Sequence, residues 1–208
     1  MSRITDTKCK LCRREGMKLF LKGQRCFTEK CAVSRRDYPP GVHAQKRAKV
    51  TEYGVRLREK QKLKRIYGVQ ERQFKLYFGE AERLKGNTGE NLMVLLERRL
   101  DNVVVSSGLA LSRNHARQMI NHGHFRVNGR RVDVASYRVR PGDVITPGTQ
   151  ENTRKMVSEA VEVNKSQPVP GWIEVTPDTL TSRMVSVPRR EDVPHPIQEQ
   201  LIIELCSK

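Results

Sequence analysis

With 208 residues, 37% hydrophobic and 30% charged, the chain has apolar material for one or two small domains but not for one large core. Its 40 Lys and Arg against 23 Asp and Glu leave a formal charge of +17, which repels itself and calls for a polyanionic partner. The longest aliphatic or Met run, Leu92 to Leu96, is too short to span a membrane, and the start Met1-Ser2-Arg3-Ile4 lacks the apolar stretch of a secretory leader, so a cytoplasmic protein with no membrane partner is expected.

The charge is unevenly placed. Residues 1–100 carry a net of +15 and 101–208 only +2, yet within that second half 113–140 holds seven Arg against one Asp. The last 68 residues are net negative, at −3. The electropositive surface therefore belongs to the first half and to one short segment beyond it.

Residues 1–42 read as a loop-rich module ending in the turn Tyr38-Pro39-Pro40-Gly41. Cys9 and Cys12 form one close pair, and Cys26 and Cys31 a second after thirteen intervening residues. Two close pairs across a loop let four thiolates converge on one ion. In a reducing cytosol such thiols are metal ligands sooner than disulfides, and a segment this short needs the metal for its folding energy. Zn2+ is the expected ion, one per chain and structural, since four sulfurs leave no open position for catalysis. Four independent thiols and an iron–sulfur cluster are the alternatives. Cys206 lies apart in an apolar tail and reads as a core thiol.

From His43 to about Tyr67 the pattern is a strongly basic helix, which Gly54 and Gly68 are expected to interrupt. A second helix over 70–84 takes Phe74, Leu76, Tyr77, Phe78, Ala81 and Leu84 as its apolar side. A third, from Glu90 to Ser106, places Leu92, Leu95, Leu96, Leu100, Val103 and Val104 on one stripe. Ser112 suits the N-cap of a short helix over 113–122 that Gly123 ends. Phe125 to Val132 is a hairpin signal, because Asn128-Gly129 fits the two positive-φ sites of a type I′ turn. Strands are expected at 135–140 and 144–146, a helix at 151–163, short strands across 167–196, and a closing helix near 197–205.

In that hairpin Arg126 falls opposite Arg131, and Val127 opposite Arg130. Two opposed guanidinium groups cost stability unless a phosphate lies between them. Aromatic residues are only 5%, too few for a surface built around stacked bases, and no helix-turn-helix, zipper or zinc-finger array is apparent. A broad basic surface suited to the shape and backbone of folded RNA remains. Its candidate contacts are Arg13, Arg14, Arg35 and Arg36 in the cysteine module and Lys46, Arg47, Lys49, Arg56, Arg58, Lys62, Lys64 and Arg65 on the basic helix. Arg113, His115, Arg117, Arg126, Asn128, Arg130 and Arg131 in the helix–hairpin segment complete the set. No small-molecule site is suggested.

Several stretches resemble a known family. Cys9-x-x-Cys12 with Cys26-x4-Cys31, Arg35-Arg36-Asp37-Tyr38-Pro39-Pro40-Gly41, Gln61 to Tyr67, Gly89-Glu90-Asn91-Leu92 and Glu97-Arg98-Arg99-Leu100-Asp101-Asn102-Val103 are similar to the zinc-bearing form of the bacterial ribosomal protein S four family. Ser112 to Gly129 is similar to the RNA-binding module named after it. The resemblance covers nearly the whole chain. It implies an α+β protein: a zinc module, 1–42, on a mostly helical domain, 43–92, completed by a C-terminal helix, 196–208. A second domain, 93–195, would contain the module, 98–162, with its helix pair, β-hairpin and short strands.

The implied function is structural: direct, early binding of small-subunit ribosomal RNA that nucleates the subunit body. Contact with small-subunit protein five, a part in translational accuracy with numbers five and twelve, and binding to its own messenger RNA are also implied. Two rivals are a regulatory RNA binder, acting as operon repressor or transcription factor, and a pseudouridine synthase, since Arg99-Leu100-Asp101 resembles the surroundings of such an enzyme's catalytic aspartate. No separate catalytic domain fits beside the module, so a non-enzyme is expected.

Overall fold

The computed structural model describes residues 6–42 and 51–207. The chain divides into two compact units, Met1–Leu92 with His195–Lys208, and Met93–Pro194.

In the first unit the cysteine region is more helical than its loop-like composition suggests. Helix α1 (Lys8–Glu15) carries Cys9 and Cys12, a 3-10 turn spans Gly23–Cys26, and the short α2 (Ala32–Arg35) follows Cys31. Helix α3 (Glu52–Tyr67) begins at Thr51, whose hydroxyl accepts from the Gly54 N–H at 3.1 Å. Gly54 therefore lies in the capped first turn, where a glycine costs little, and does not break the helix. The expected helical stretch Ala44–Val50 falls outside the described residues. Helix α4 (Glu71–Arg83) buries Phe74, Tyr77, Phe78 and Ala81, but Leu76 and Leu84 are exposed, at 62% and 45%. Leu76 falls between two buried turns, on the opposite side of the 3.6-residue wheel.

The C-terminal helix α9 (Glu199–Cys206) docks on α3. Leu63, Ile66 and Ile202 are buried in this unit, and the buried Glu59 accepts from the Gln198 N–H at 2.9 Å while pairing with Lys62 at 2.7 Å. Arg56 joins Glu204 at 2.8 Å. Helix α9 also passes so near the first turn of α5 (Thr88–Glu97) that a Cβ on Gly89 would lie 2.7 Å from the Glu199 Cβ.

The second unit is a five-stranded antiparallel sheet with helices packed on its core. Strands β1 (Phe125–Val127), β2 (Arg130–Arg131), β3 (Val144–Pro147), β4 (Ile173–Thr176) and β5 (Thr181–Met184) lie in the order β2-β1-β3-β5-β4. Helices α6 (Leu100–Ser106), α7 (Arg113–Asn121) and α8 (Glu151–Asn164) supply Leu100, Val103, Ala116, Ile120 and Val157 to a core shared with Phe125, Ile145, Trp172 and Met184. The fold is thus α+β, and the helix–hairpin segment lies within this unit.

The helix expected over 90–106 is divided here into α5 and α6. Segment 135–139 supplies the reason: Val139 N–H donates to Arg98 O at 2.9 Å, and Leu100 and Asp101 N–H donate to Tyr137 and Ala135 O at 2.8 and 3.1 Å. Backbone groups satisfied from outside no longer need the i to i−4 ladder. The same pairing reduces the strand expected at 135–140 to a single bridge, Arg99 to Arg138. Leu96, Leu100, Val103 and Val104 stay buried across the break, which is why the apolar stripe ran on. Arg99 and Asp101 close on each other, Nε to Oδ1 at 3.0 Å and a second bond at 2.6 Å, both side chains 3% exposed.

Two stability predictions follow from these contacts. Asp101→Asn removes the carboxylate that pairs with the buried Arg99 guanidinium and should cost about 3–5 kcal/mol; a melting temperature equal to the parent's would show that the pair carries no such weight. Gly89→Ala forces α9 away from α5 and should cost about 1–3 kcal/mol, with faster amide exchange over 199–206.

Candidate nucleic-acid interface

The helix–hairpin segment is built by local rules. Ser112 Oγ accepts from the His115 N–H at 3.3 Å and starts α7, whose Ala116, Met119 and Ile120 face the core. Asn128 and Gly129 take φ of 50° and 78°, the turn their sequence predicts. The register is the one read from the sequence, with Arg126 opposite Arg131 and Val127 opposite Arg130.

Arg126 and Arg131 line a cavity of about 150 Å3 together with His122, Gly123, Gly148, Thr149, Gln150 and Thr153. Among the described residues no acidic side chain lines it. Gln150 is the N-cap of α8 and makes no side-chain cap, so the cavity also meets the positive end of a fourteen-residue helix. Arg131 donates to His122 O at 3.4 Å and lies over Gly123, where a Cβ would come 2.1 Å from the Arg131 Nε. With φ at 76°, the backbone at Gly123 favours glycine, and any Cβ there would displace the Arg131 guanidinium. The positive field is felt by a neighbour: burial pushes the His124 imidazole below its usual value, and His122 and Arg131 push it further. His124 Nδ1 is 2.8 Å from Thr153 Oγ1.

The other predicted contacts of this segment divide. Arg130 is exposed at the hairpin end, and Arg117 is half-buried on α7. Arg113 donates to the Oδ1 of the buried Asn102 at 2.8 Å. His115 Nδ1 accepts from the Leu111 N–H at 3.4 Å, and burial lowers its pKa, so it is a neutral structural group more than a cation. Asn128 is spent on the fold: its amide donates to Asp143 at 2.8 Å and accepts from the Val144 N–H at 2.9 Å.

In the first unit most of the predicted cations already have partners. Arg13 donates to Tyr38 and Pro39 carbonyls and Arg14 to that of Pro40, fixing the Pro-Pro turn, with the Arg13 guanidinium 4.7 Å above the Tyr38 ring. On α3, Arg56 joins Glu52 and Glu204, Lys62 joins Glu59, Lys64 joins Glu71, and Arg58 and Arg65 share Glu15. Burial pushes the Glu15 carboxyl up and Arg65 down despite their attraction, so this pair is tolerated more than it is favourable. Burial also opposes the Glu71 carboxylate, but Lys60 and Lys64, each at 2.6 Å, outweigh it. Arg35 and Arg36 are exposed at the end of α2. Lys46, Arg47 and Lys49 lie outside the described residues.

Cys9, Cys12, Cys26 and Cys31 line a single cavity of about 10 Å3, room for one atom-sized occupant. Burial raises the Cys12 and Cys26 thiols, while the Leu19 and Lys22 N–H groups pull them back. Burial likewise opposes the Cys31 thiolate, but the Val33 and Ser34 N–H groups prevail and lower its pKa. The donor set suits a closed four-sulfur site, although among the described residues no three His, Cys, Asp or Glu side chains are drawn into a ready metal-holding group.

Sequence reasoning missed His122, Gly123, Thr149, Gln150 and Thr153. Polar residues just before a helix start at Glu151 were the available signal, but β3 brings them to the hairpin only through tertiary pairing. Asp101, the would-be catalytic aspartate, is consumed by Arg99.

The family described as "Ribosomal protein S4/S9 N-terminal domain" matches residues 3–97, and that described as "S4 domain" matches 98–145. The chain is 55% identical over all 208 residues of both chains to "Small ribosomal subunit protein uS4" of Thermoanaerobacter sp. strain X514. It is 52% identical, again over 100% of each, to the protein of that name from Thermodesulfovibrio yellowstonii. It is 53% identical to that of Geobacter sp. strain M21 across a 210-residue alignment. Helix–hairpin geometry, opposed arginines and full-length identity converge, and the chain belongs to the small ribosomal subunit protein uS4 family.

Proposed function

We infer that this protein is a structural constituent of the small ribosomal subunit that binds the subunit's RNA through phosphates, and is not an enzyme. One observation carries the phosphate grip: Arg126 and Arg131, opposed across a strand pair, line an acid-free cavity at the start of α8. Charge-assisted hydrogen bonds from two guanidiniums, together with α8 amides, suit an oxygen-rich anion held by shape and not by base sequence. Arg117 on α7 and the exposed Arg130 are further candidate cations of the same module. Family membership supports early binding that nucleates the subunit body, a share in translational accuracy with small-subunit proteins five and twelve, contact with protein five, and binding to its own messenger RNA.

The cysteine segment, 1–42, is read as a zinc module on a helical domain, 43–92 with 196–208, and 93–195 as the domain holding the RNA-binding module. The support for one Zn2+ is the pairing of the cysteines in sequence and their common cavity. Cys9, Cys12, Cys26 and Cys31 would hold the ion, which supplies folding energy and no chemistry.

Binding to protein-free small-subunit rRNA should weaken steeply with salt, log affinity falling nearly linearly with log salt. Replacing Arg126 and Arg131 together by Gln should leave thermal stability unchanged or slightly raised, because the free pair is mildly repulsive. The same variant should bind rRNA more weakly, with a salt slope shallower by up to about two. A sharply lowered melting temperature with an unchanged slope would make the arginines structural and remove the RNA face from the hairpin.

Elemental analysis of chelator-free protein should find about one zinc per chain. Chelation should speed amide exchange over 6–42 and leave 93–194 unaffected, since the core of that unit contains no cysteine. Protein that is folded over 6–42 and free of metal would refute the zinc reading.

A further inference from the structure

The first unit shows two large aromatic side chains at its surface, close together and beside the cysteine cavity. Phe20 is 39% exposed and Phe27 is 59% exposed, and their rings lie 4.9 Å apart, tilted by 30°. A pair buried for core stability would not leave so much ring in water.

Phe20 also has φ of 51°, in the left-handed region. For a bulky residue this conformation is uncommon and strained. Glycine would meet the same backbone need without strain. Strain of this kind clusters where a side chain must be held in one place for recognition.

The charge around the rings selects the partner. Lys22, Arg25 and Lys30 are exposed within a few residues of them, with no acidic partner among the described residues. Lys18 stands close enough to the cysteines to favour their thiolates, and Glu29 is the only acid in 17–30. An apolar protein surface would gain nothing from such a ring of cations, whereas an unpaired nucleotide offers a flat base for the rings and a phosphate for the Lys and Arg side chains.

We propose that Phe20 and Phe27 form a stacking platform for one unpaired base of the small-subunit RNA. The proposal rests on the rRNA-binding reading above but uses different chemistry and the other unit. Phosphate contacts fix affinity through charge, while stacking adds a salt-insensitive term. The low aromatic content does not count against it, since one base needs only one pair.

The test uses the full chain and protein-free small-subunit rRNA. Phe27→Leu keeps apolar bulk and removes the ring, and should lower affinity roughly five- to hundredfold with the salt slope unchanged. Phe27→Tyr keeps the ring and should bind within about twofold of the parent. Phe20→Leu should repeat the Leu pattern, and it decides the matter should Phe27→Leu lose the parent's circular dichroism. Short-wavelength crosslinking of the parent should place a nucleotide adduct on the tryptic peptide Cys26–Lys30. Parent-like binding by both Leu variants overturns the platform, as does equal loss in the Leu and Tyr forms. Failure of the parent itself to bind rRNA would instead overturn the parent reading.

Discussion

The positive charge of the chain has to be contained before it can be used. The sequence sets forty basic side chains against only 23 acids, so where those acids stand decides which cations remain for a partner. On α3 they are spent densely: Glu15, Glu52, Glu59, Glu71 and Glu204 engage Arg56, Arg58, Lys60, Lys62, Lys64 and Arg65. This network sits where α3 meets α1 and α9, so its first duty is to let a basic helix serve as the centre of a unit. Pairs that are partly buried add little net stability, because desolvation offsets much of their attraction.

In the second unit the opposite choice is made. Asp101 neutralises Arg99 in the interior and Asp143 is tied to Asn128 and the Arg140 N–H, which leaves the hairpin cations without acids at the cavity. Arg126 and Arg131 therefore keep an unbalanced field; burial is the main cause of the lowered His124 pKa, and His122 and Arg131 add to it. The contrast explains how one composition yields both a charge-balanced scaffold and an unbalanced basic surface: equal charges differ according to whether a carboxylate stands beside them.

The family assignment and this distribution support each other physically. A protein that binds folded RNA by its backbone needs fixed cations on rigid elements and has no need of a chemically reactive cleft. A hairpin with a two-residue turn, a capped helix and a helix N-terminus meeting at one cavity supply such rigidity. Phe20 and Phe27 add a different kind of contact, one that a net-charge argument does not reveal.

Much of the fold was legible locally. The cap at Ser112, the Asn128-Gly129 turn, the Arg126–Arg131 register and the buried stripe from Leu92 to Val104 depend on residues near one another in the chain, so their spacing alone determined them. What spacing could not determine was how distant segments satisfy polar groups. The break between α5 and α6 exists because 135–139 supplies backbone partners at 98–101. Asn128 reads as an RNA contact until β3 brings Asp143 and Val144 to it, and the α3 cations read as free until α1 and α9 bring Glu15 and Glu204. Sequence by itself determined the charge, the hairpin and most of the helices; only the tertiary structure decided where a helix breaks and which polar side chains are already satisfied, because hydrogen bonds and ion pairs depend on proximity in space and not along the chain.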